Sequence, residues 1–412
     1  MSRPTKGNRK PSIADVAAAV GVSKTTISRY LHGEYDYMSA DTRARIETVI
    51  RELDYRPNKM AQGLKATNSR MIGVTIANIS NPFSSQLLKG MQAVCRERGI
   101  QLLVSDADDD PKLERAAIES LMDSQVDGLI VNTVGGNDEF LTTFAHTAGN
   151  PPIVLLDRMI TPPMCDCIVT DNAGAVDTML DHVCERGYDY VVFVTQPIDG
   201  ITTRRARADA ALDYFAGHGL GGEVLEYADS PRDDGELNAG GTNGTPDAPR
   251  TTGESGKTDK SDKSDCDDSA SVGLAARLTA ILNTHRGERV CVFANNEDAM
   301  CDVFAVLADL SEAHDQAEDG VGRDDSRNGD RDTTNSTGTV NGVGTTVGLC
   351  AFATKRWARY SGPGITCVDQ DPVLMGRTAA TRLIARIYDG DSSPAQLVEI
   401  PAQLRVFGST AA

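Results

Sequence analysis

The chain has 412 residues, 40% of them hydrophobic, enough for two or three domains with true cores. Its formal charge of −18 argues against a nucleic-acid partner for the chain as a whole. No apolar run reaches bilayer-spanning length, so no membrane partner is expected. Nine cysteines follow no framework spacing, and Cys165-x-Cys167 has no neighbouring ligands to complete a metal set, so neither a disulfide scaffold, a metal nor any cofactor is expected. MSRPTKGNRK lacks the apolar segment of an export signal, which points to the cytoplasm. The charge is unevenly placed: residues 1–70 hold 13 Lys and Arg against 7 Asp and Glu, leaving −24 on the remainder. A basic module on an acidic body is the footprint of a local DNA contact.

The first 57 residues predict three short helices. Ser12, with Asp15 three residues on, caps a helix carrying Ile13, Val16, Ala17 and Val20 on one side. Gly21 ends it, because glycine takes the left-handed conformation most cheaply. Ser23 caps a second helix, Lys24 to Leu31, with Ile27 and Leu31 inward and Lys24, Thr25, Ser28 and Arg29 on the polar side. Gly33 closes it, and Ser39 caps a third helix with Ile46, Val49, Ile50 and Leu53 as its buried stripe. Two short helices joined by a glycine turn make a helix-turn-helix, whose second helix enters the major groove. Arg29 can donate a bidentate pair to guanine, and Lys24 reaches either a base or a phosphate. The alternative is a small bundle with solvated charges. Pro57 then breaks the chain, and Asn58 can cap a helix from Lys59 to Lys65 too short to stand alone in water.

The stretches IADVAAAVGVSKTTISRYLHG, MSADTRARIETVIRELDYRPNKMAQGLK and IGVTIANISNPFSSQLLKGM resemble the LacI family of bacterial repressors over most of the chain. That resemblance implies base-reading positions at Lys24, Thr25 and Arg29 and phosphate contacts at Thr26 and Ser28. It implies a hinge at 58–70 that folds in the minor groove, with Asn58, Ala61, Leu64 and Lys65 facing DNA and Leu64 wedging a base step. The other reading of that hinge is a plain linker. Two departures stand out here. GEYDYMS, between the second and third helices, is longer than usual in the family, which leaves open whether Tyr35 and Tyr37 make DNA-backbone contacts. Gly63 replaces the usual serine and should ease hinge unfolding.

From residue 71 onward short apolar strands alternate with amphipathic helices, an α/β pattern of parallel sheets covered on both faces. Strands are expected at 71–76, 101–105, 128–131, 153–156, 191–194, 290–293, 347–351 and 365–368, with helices including 84–98, 112–123, 173–186, 206–217 and 298–310. The resemblance implies a two-lobed periplasmic-binding-protein-like sensor at 71–412: lobe one at 71–168 and 370–389, lobe two at 169–369 and 390–412. Two stretches near 228–270 and 311–344, rich in Gly, Ser, Thr, Asn and Asp, stand outside this pattern and read as solvated insertions.

Ligands of open α/β sheets bind beyond the carboxyl ends of strands. This selects Asn81, Phe83, Ser84, Arg158 and Asn295; the resemblance implies that Arg207 clasps the effector, and Asp171 at the first lobe crossing and Trp357, the only tryptophan, complete the candidate effector site. Arginine can pair a carboxylate, Asn and Asp can hold hydroxyls, and tryptophan can stack on a sugar ring. Asp157 and Asp171 serve equally well as helix caps or lobe contacts, and Arg158 and Arg207 as surface ion pairs. Ala351-Phe352-Ala353-Thr354 stands where the family has Gly-aromatic-Asp-Asp, and Asn296 stands where it has an aspartate. Fewer acids beside two arginines favour an anionic effector. SKTTISRYL, EYDYMS and VDGLIVNT further resemble the branch of ketodeoxygluconate repressors.

The expectation is thus a homodimeric, operator-binding repressor controlled by a sugar or sugar acid, with a near-palindromic operator. The ligand could induce or co-repress. An extracytoplasmic sugar-binding protein without DNA binding is the alternative. A sugar-processing enzyme lacks any nucleophile–base grouping or phosphate-cradling loop. VFGSTAA closes the sequence without leucine heptads, so a dimer is expected rather than a tetramer.

Overall fold

A computed structural model describes residues 11–31, 33–55, 68–228, 273–319, 339–340 and 345–410. The expected hinge helix, with Asn58, Ala61, Gly63, Leu64 and Lys65, lies outside these residues, as does most of both expected insertions.

The N-terminal headpiece holds α1 (Ile13–Val20), α2 (Lys24–Leu31) and α3 (Ala40–Glu52). Ser12 and Asp15 form a reciprocal capping box, with the Ser12 amide donating to the Asp15 carboxylate at 2.7 Å. Gly21 ends α1 at φ +79°. The Ser23 and Ser39 hydroxyls accept from the Thr26 and Thr42 amides at 3.1 and 3.2 Å. Val16, Ala17, Val20, Ile27, Ile46 and Tyr55 form the buried core, with Leu31, Val49, Ile50 and Leu53 half-buried around it. Burying Ile27 turns the opposite side of α2 outward.

Behind the headpiece lie two α/β lobes. The first sheet runs β12-β5-β4-β3-β1-β2, all parallel, from β1 (Met71–Ile76), β2 (Gln101–Asp106), β3 (Gly128–Val131), β4 (Ile153–Leu156), β5 (Asp166–Thr170) and β12 (Leu397–Ile400). Helices α4 (Pro82–Glu97), α5 (Pro111–Asp123), α6 (Asp138–His146) and α12 (Pro372–Tyr388) cover it.

The second sheet runs β13-β11-β10-β8-β6-β7. Its strands are β6 (Tyr190–Thr195), β7 (Gly221–Glu226), β8 (Arg289–Ala294), β10 (Thr345–Phe352), β11 (Thr366–Asp369) and the antiparallel edge β13 (Gln403–Arg405). A two-residue strand, β9 (Thr339–Val340), pairs antiparallel with β10. The covering helices are α7 (Asn172–Glu185), α8 (Thr202–His218), α9 (Leu274–Thr284), α10 (Glu297–Asp319) and α11 (Lys355–Tyr360).

Two expectations are corrected. Residues 390–412 do not all belong to lobe two: Leu397–Ile400 pairs in register with Cys167–Thr170 at the edge of the first sheet, so residues 169–170 belong to lobe one as well. The reason is a buried charge. Asp166 lies at the start of β5 with its side chain 1% exposed. It accepts from Arg382 and Arg386 on α12 and from the Gln396 amide at 2.8 Å, which ties the segment before β12 to lobe one. The second insertion does not begin at 311, because α10 continues to Asp319 through SEAHDQAED, whose alanines, glutamates and glutamine favour helix. The backbone therefore crosses between lobes three times: after β5, after β11 and after β12.

Candidate functional site

The carboxyl ends of both sheets face one cavity of about 820 Å³ between the lobes. Lobe one lines it with the loop after β1 and the start of α4. Asn81 caps α4, its side chain accepting from the Phe83 amide at 2.9 Å. Phe83 leans on the first-lobe core, and Ser84 is buried behind it. Asn132 stitches three strand ends together, accepting from the Ala77 amide at 3.2 Å and donating to the Leu156 carbonyl at 3.1 Å. After β4, Asp157 is held at φ +67°, a strained backbone for a side chain other than glycine. Arg158 follows and donates to the Thr133 and Val134 carbonyls at 3.0 and 3.2 Å, while its Nε, buried, has no partner.

Lobe two contributes Arg207, 5% exposed. Its Nε donates to Asn172 Oδ1 and one terminal nitrogen to the Asn295 carbonyl, both at 2.7 Å. The guanidinium lies 3.8 Å from the centre of the Phe352 ring. Burial lowers its pKa to about 10, opposed by nearby Asp157, so it remains a cation at neutral pH. Burial also pushes the Asp157 carboxyl up, against the pull of Arg158 and Arg207. Asn295 is 2% exposed, and its side-chain oxygen has no partner. A buried acceptor without a donor carries a desolvation penalty that a ligand hydroxyl would relieve.

Asn81, Phe83, Ser84, Arg158, Arg207 and Asn295 are thus brought together around the cavity. Asp171 and Trp357 are not. Asp171 caps α7, accepting from the Gly174 amide at 2.9 Å. Trp357 packs 6.4 Å from Phe304 against the second-lobe core and lines an adjoining hollow that shares Glu297, Thr354 and Gln370 with the cleft. Among the described residues, no aromatic ring other than Phe83 and Phe352 lines the cleft.

The expected shortage of acids is also corrected. Glu297, at the first turn of α10, accepts from the Thr354 amide at 2.6 Å and hydroxyl at 2.7 Å, supplying a carboxylate beside the place where the family's aspartate is missing. Burial raises its pKa, against those two hydrogen bonds. Asp109, Asp199 and Asp298 also line the cleft, as does Arg204. Asp109 accepts from Asn78, and Asp199 sits at the exposed rim 3.7 Å from Arg205. Between Arg158 and Arg207 the intervening acid is Asp157. Sequence reading also missed Asn132, Asn172, the mutual amide pair of Gln196 and Asn296, and Phe352. Their position after strands was the available signal.

The lobes touch at the cleft mouth. The Met159 amide donates to the Thr202 hydroxyl at 3.1 Å. Gly135, at φ +94°, approaches Gly200 so closely that a Cβ would overlap the Gly200 carbonyl oxygen. The loop bearing Gly135 is propped by buried Glu114, which accepts from Thr133, the Val134 amide and Asn137.

On the headpiece, α2 exposes Lys24, Thr25 and Arg29, with Thr26 and Ser28 half-buried beside them. All five lie on a short helix anchored by Ile27, the arrangement expected of a groove-reading helix.

Comparison with known proteins agrees with this geometry. Residues 12–58 match the model of bacterial regulatory proteins of the lacI family. Residues 69–236 match that of periplasmic binding proteins and the sugar-binding domain of the LacI family. The transcriptional regulator PtxS of Pseudomonas aeruginosa is 33% identical over 99% of this chain and 97% of its own length. This chain belongs to the LacI family. As a LacI-family member it is a DNA-binding transcriptional regulator, not an enzyme. The regulator KdgR of Bacillus subtilis is 28% identical over 98% of both chains, which puts this LacI-family protein beside the branch its headpiece resembles. The lac repressor dimer bound to operator superposes with a TM-score of 0.68 over 98% of this chain and all of its own, at 18% identity, a likeness of fold. Among the described residues no helix is long and apolar enough to cross a membrane.

Proposed function

We propose that this protein is a homodimeric repressor of carbohydrate-utilisation genes, acting in the cytoplasm, whose grip on a near-palindromic operator is relieved by a sugar acid bound between its lobes. Residues 1–57 read DNA, 58–70 form the hinge, and the rest senses the effector. Lys24, Thr25 and Arg29 face bases, while Thr26 and Ser28 face phosphates. Asn58, Ala61, Leu64 and Lys65 contact the operator centre.

The observation that carries the effector reading is the unpartnered Asn295 oxygen beside the buried, stacked Arg207 cation. The oxygen can accept from a ligand hydroxyl. Arg158 and Arg207 flank Asp157, and either guanidinium can pair a ligand carboxylate. A polyhydroxylated acid satisfies both, and it can bridge Arg158 of lobe one to Arg207 and Asn295 of lobe two. Binding across the lobes then shifts their relative position, and linkage passes that shift to the DNA-bound state.

The test is a thermal-shift screen of neutral sugars, sugar acids and phosphosugars, since a ligand of the folded state raises its apparent stability. Each hit is then titrated into operator complexes at fixed salt. A sugar acid should raise the melting temperature and weaken operator binding, with both effects lost in Arg207→Ala. Stabilisation by neutral sugars alone would remove the acid from this reading. A hit that tightens operator binding would reverse the sign of control.

A further inference from the structure

The turn joining α2 to α3 is the part of the headpiece whose length departs from the family pattern. We propose that Tyr37 is a positioning residue for DNA reading: its ring carries the Arg29 guanidinium in the orientation from which it donates to a guanine edge. This rests on the reading of α2 as the groove-entering helix.

The two tyrosines of this turn part company over one short 3-10 segment, Tyr35–Tyr37. Tyr35 turns toward the domain. Its ring lies 3.8 Å from the Arg43 guanidinium of α3 and meets Tyr30 edge-on at 5.8 Å. Met38 packs on the headpiece core just beyond it. The Glu34 amide donates to the Arg29 carbonyl at 3.0 Å, fixing the turn to the end of α2. With both ends anchored, Tyr37 is left 74% exposed, on the side where Arg29 emerges from α2. The Arg29 guanidinium lies 4.8 Å from the centre of that ring.

An aromatic ring this exposed gains little from burial, so the account of its place must come from what it touches. Glu34 lies 4.0 Å from Arg29 Nε, but both side chains are about half exposed, and such a bridge holds an arginine weakly. A ring beneath the flat guanidinium restrains the long side chain through its face. The edge N–H groups remain available for the paired donation that guanine O6 and N7 accept. Ordering the side chain before DNA arrives removes part of the entropy that binding would otherwise cost. The length of the turn thereby acquires a purpose: it delivers a second tyrosine to the recognition helix while the first secures the turn.

The experiment uses the full-length protein. Sites are selected from a pool of random 30-base-pair duplexes. Affinities for all four bases at each position of the selected site are then measured at fixed salt for wild type, Arg29→Ala, Tyr37→Ala and Tyr37→Phe. Arg29→Ala should lose about tenfold of guanine preference at one base pair per half-site. Tyr37→Ala should lose about two- to fivefold at that same base pair and leave other positions unchanged. Tyr37→Phe keeps the ring and should match wild type. If Tyr37→Ala retains full guanine preference while Arg29→Ala loses it, the positioning role is overturned and the α2 reading stands. If Arg29→Ala keeps every preference, Arg29 reads no base, and the proposal falls while α2 can still read through Lys24 and Thr25. A uniform loss across sequences, shared by Tyr37→Ala and Tyr37→Phe, makes the hydroxyl a phosphate contact and overturns the proposal. Loss of preference at every position with a lowered headpiece melting temperature makes Tyr37 a structural residue and overturns it too.

Discussion

Arg29 in the headpiece and Arg207 in the cleft both lie against an aromatic ring, and almost everything else about them differs. Arg207 is 5% exposed, 3.8 Å from Phe352, with its hydrogen-bond partners at 2.7 Å. Arg29 has nearly half its side chain in water, 4.8 Å from Tyr37, with an ion pair stretched to 4.0 Å. The cleft must present a cation inside a low-dielectric wall, so its geometry is fixed in advance by buried acceptors. The headpiece meets a highly charged polymer at its surface, where long-range attraction comes without burial and only orientation has to be provided. Arginine suits both tasks. Even with its pKa lowered to about 10 it stays charged at neutral pH, where a lysine in the same burial would readily give up its proton.

If the body is organised by buried charge, its largest single sensitivity should be far from either binding surface, at Asp166. Asp166→Ala strands Arg382 and Arg386 beside β5 and should cost about 3–5 kcal/mol of body stability, measured by urea unfolding. Its pH dependence has a definite sign. Burial works against ionisation of Asp166, but the hydrogen bonds from Arg386, the Gln396 amide and Arg382 outweigh it and hold the pKa below the usual aspartate value. A depressed carboxylate stabilises fully above its unfolded pKa, about 4, and this contribution fades as pH falls through the lower folded value. Urea midpoints should therefore drop from pH 5 toward pH 2, and less steeply in Asp166→Asn. An equal slope in the variant would assign the acid sensitivity elsewhere.

Arg207→Ala comes next. It leaves Asn172 Oδ1 and the Asn295 carbonyl short of a donor and should cost about 2–4 kcal/mol. Arg207→Lys should recover part of that stability in a urea titration but not the effector response, since an ammonium cannot lie flat on Phe352 while reaching both asparagines. Full recovery by lysine would place the cleft with the headpiece, as a surface that asks only for charge.

Gly135→Ala sharpens the comparison from the lobe contact. A Cβ at φ +94° is strained and meets the Gly200 carbonyl, so the lobes cannot approach as closely. Effector affinity should fall by about 1–3 kcal/mol in calorimetry, while operator affinity without effector changes less. Gly200 tolerates the same test less informatively, because its own Cβ would meet only the Gly136 amide at 3.9 Å.

The headpiece was legible because its determinants are local: serine caps, a turn glycine and an apolar stripe all lie within a few residues of what they control. The body was legible where strands are uniformly apolar, as in Val191–Val194 or Val290–Phe293. Asp166–Thr170 escaped because it begins with a charge, neutralised by arginines 216 and 220 residues away. Gly221–Glu226 opens on two glycines and ends on an acid, a poor strand signal, and is recruited by pairing with β6. In the cleft, Arg158 and Asn295 stood out by following strands, and Arg207 by the family resemblance. Glu297 did not, because its function depends on Thr354, 57 residues on. Trp357 shows the opposite failure: its chemistry suits a sugar, but its neighbours are core.

The smallest effect expected is in the capping box, and it tests whether the headpiece is as locally determined as the comparison implies. Ser12 and Asp15 satisfy each other's helix-start amides, with Ser12 to Asp15 at 2.7 Å and the return bond at 3.4 Å. The longer return bond makes the serine hydroxyl the weaker half. Ser12→Ala should therefore cost about 1 kcal/mol of headpiece stability, within the ordinary range for a lost cap. Asp15→Ala should cost at least as much, because the carboxylate also favours the positive end of α1. Neither residue lies on α2, so operator base preferences should stay unchanged in both variants while the headpiece melting temperature falls. A change in base preference from either variant would mean that the orientation of α2 depends on how tightly α1 is wound, and the two helices would then form one reading unit.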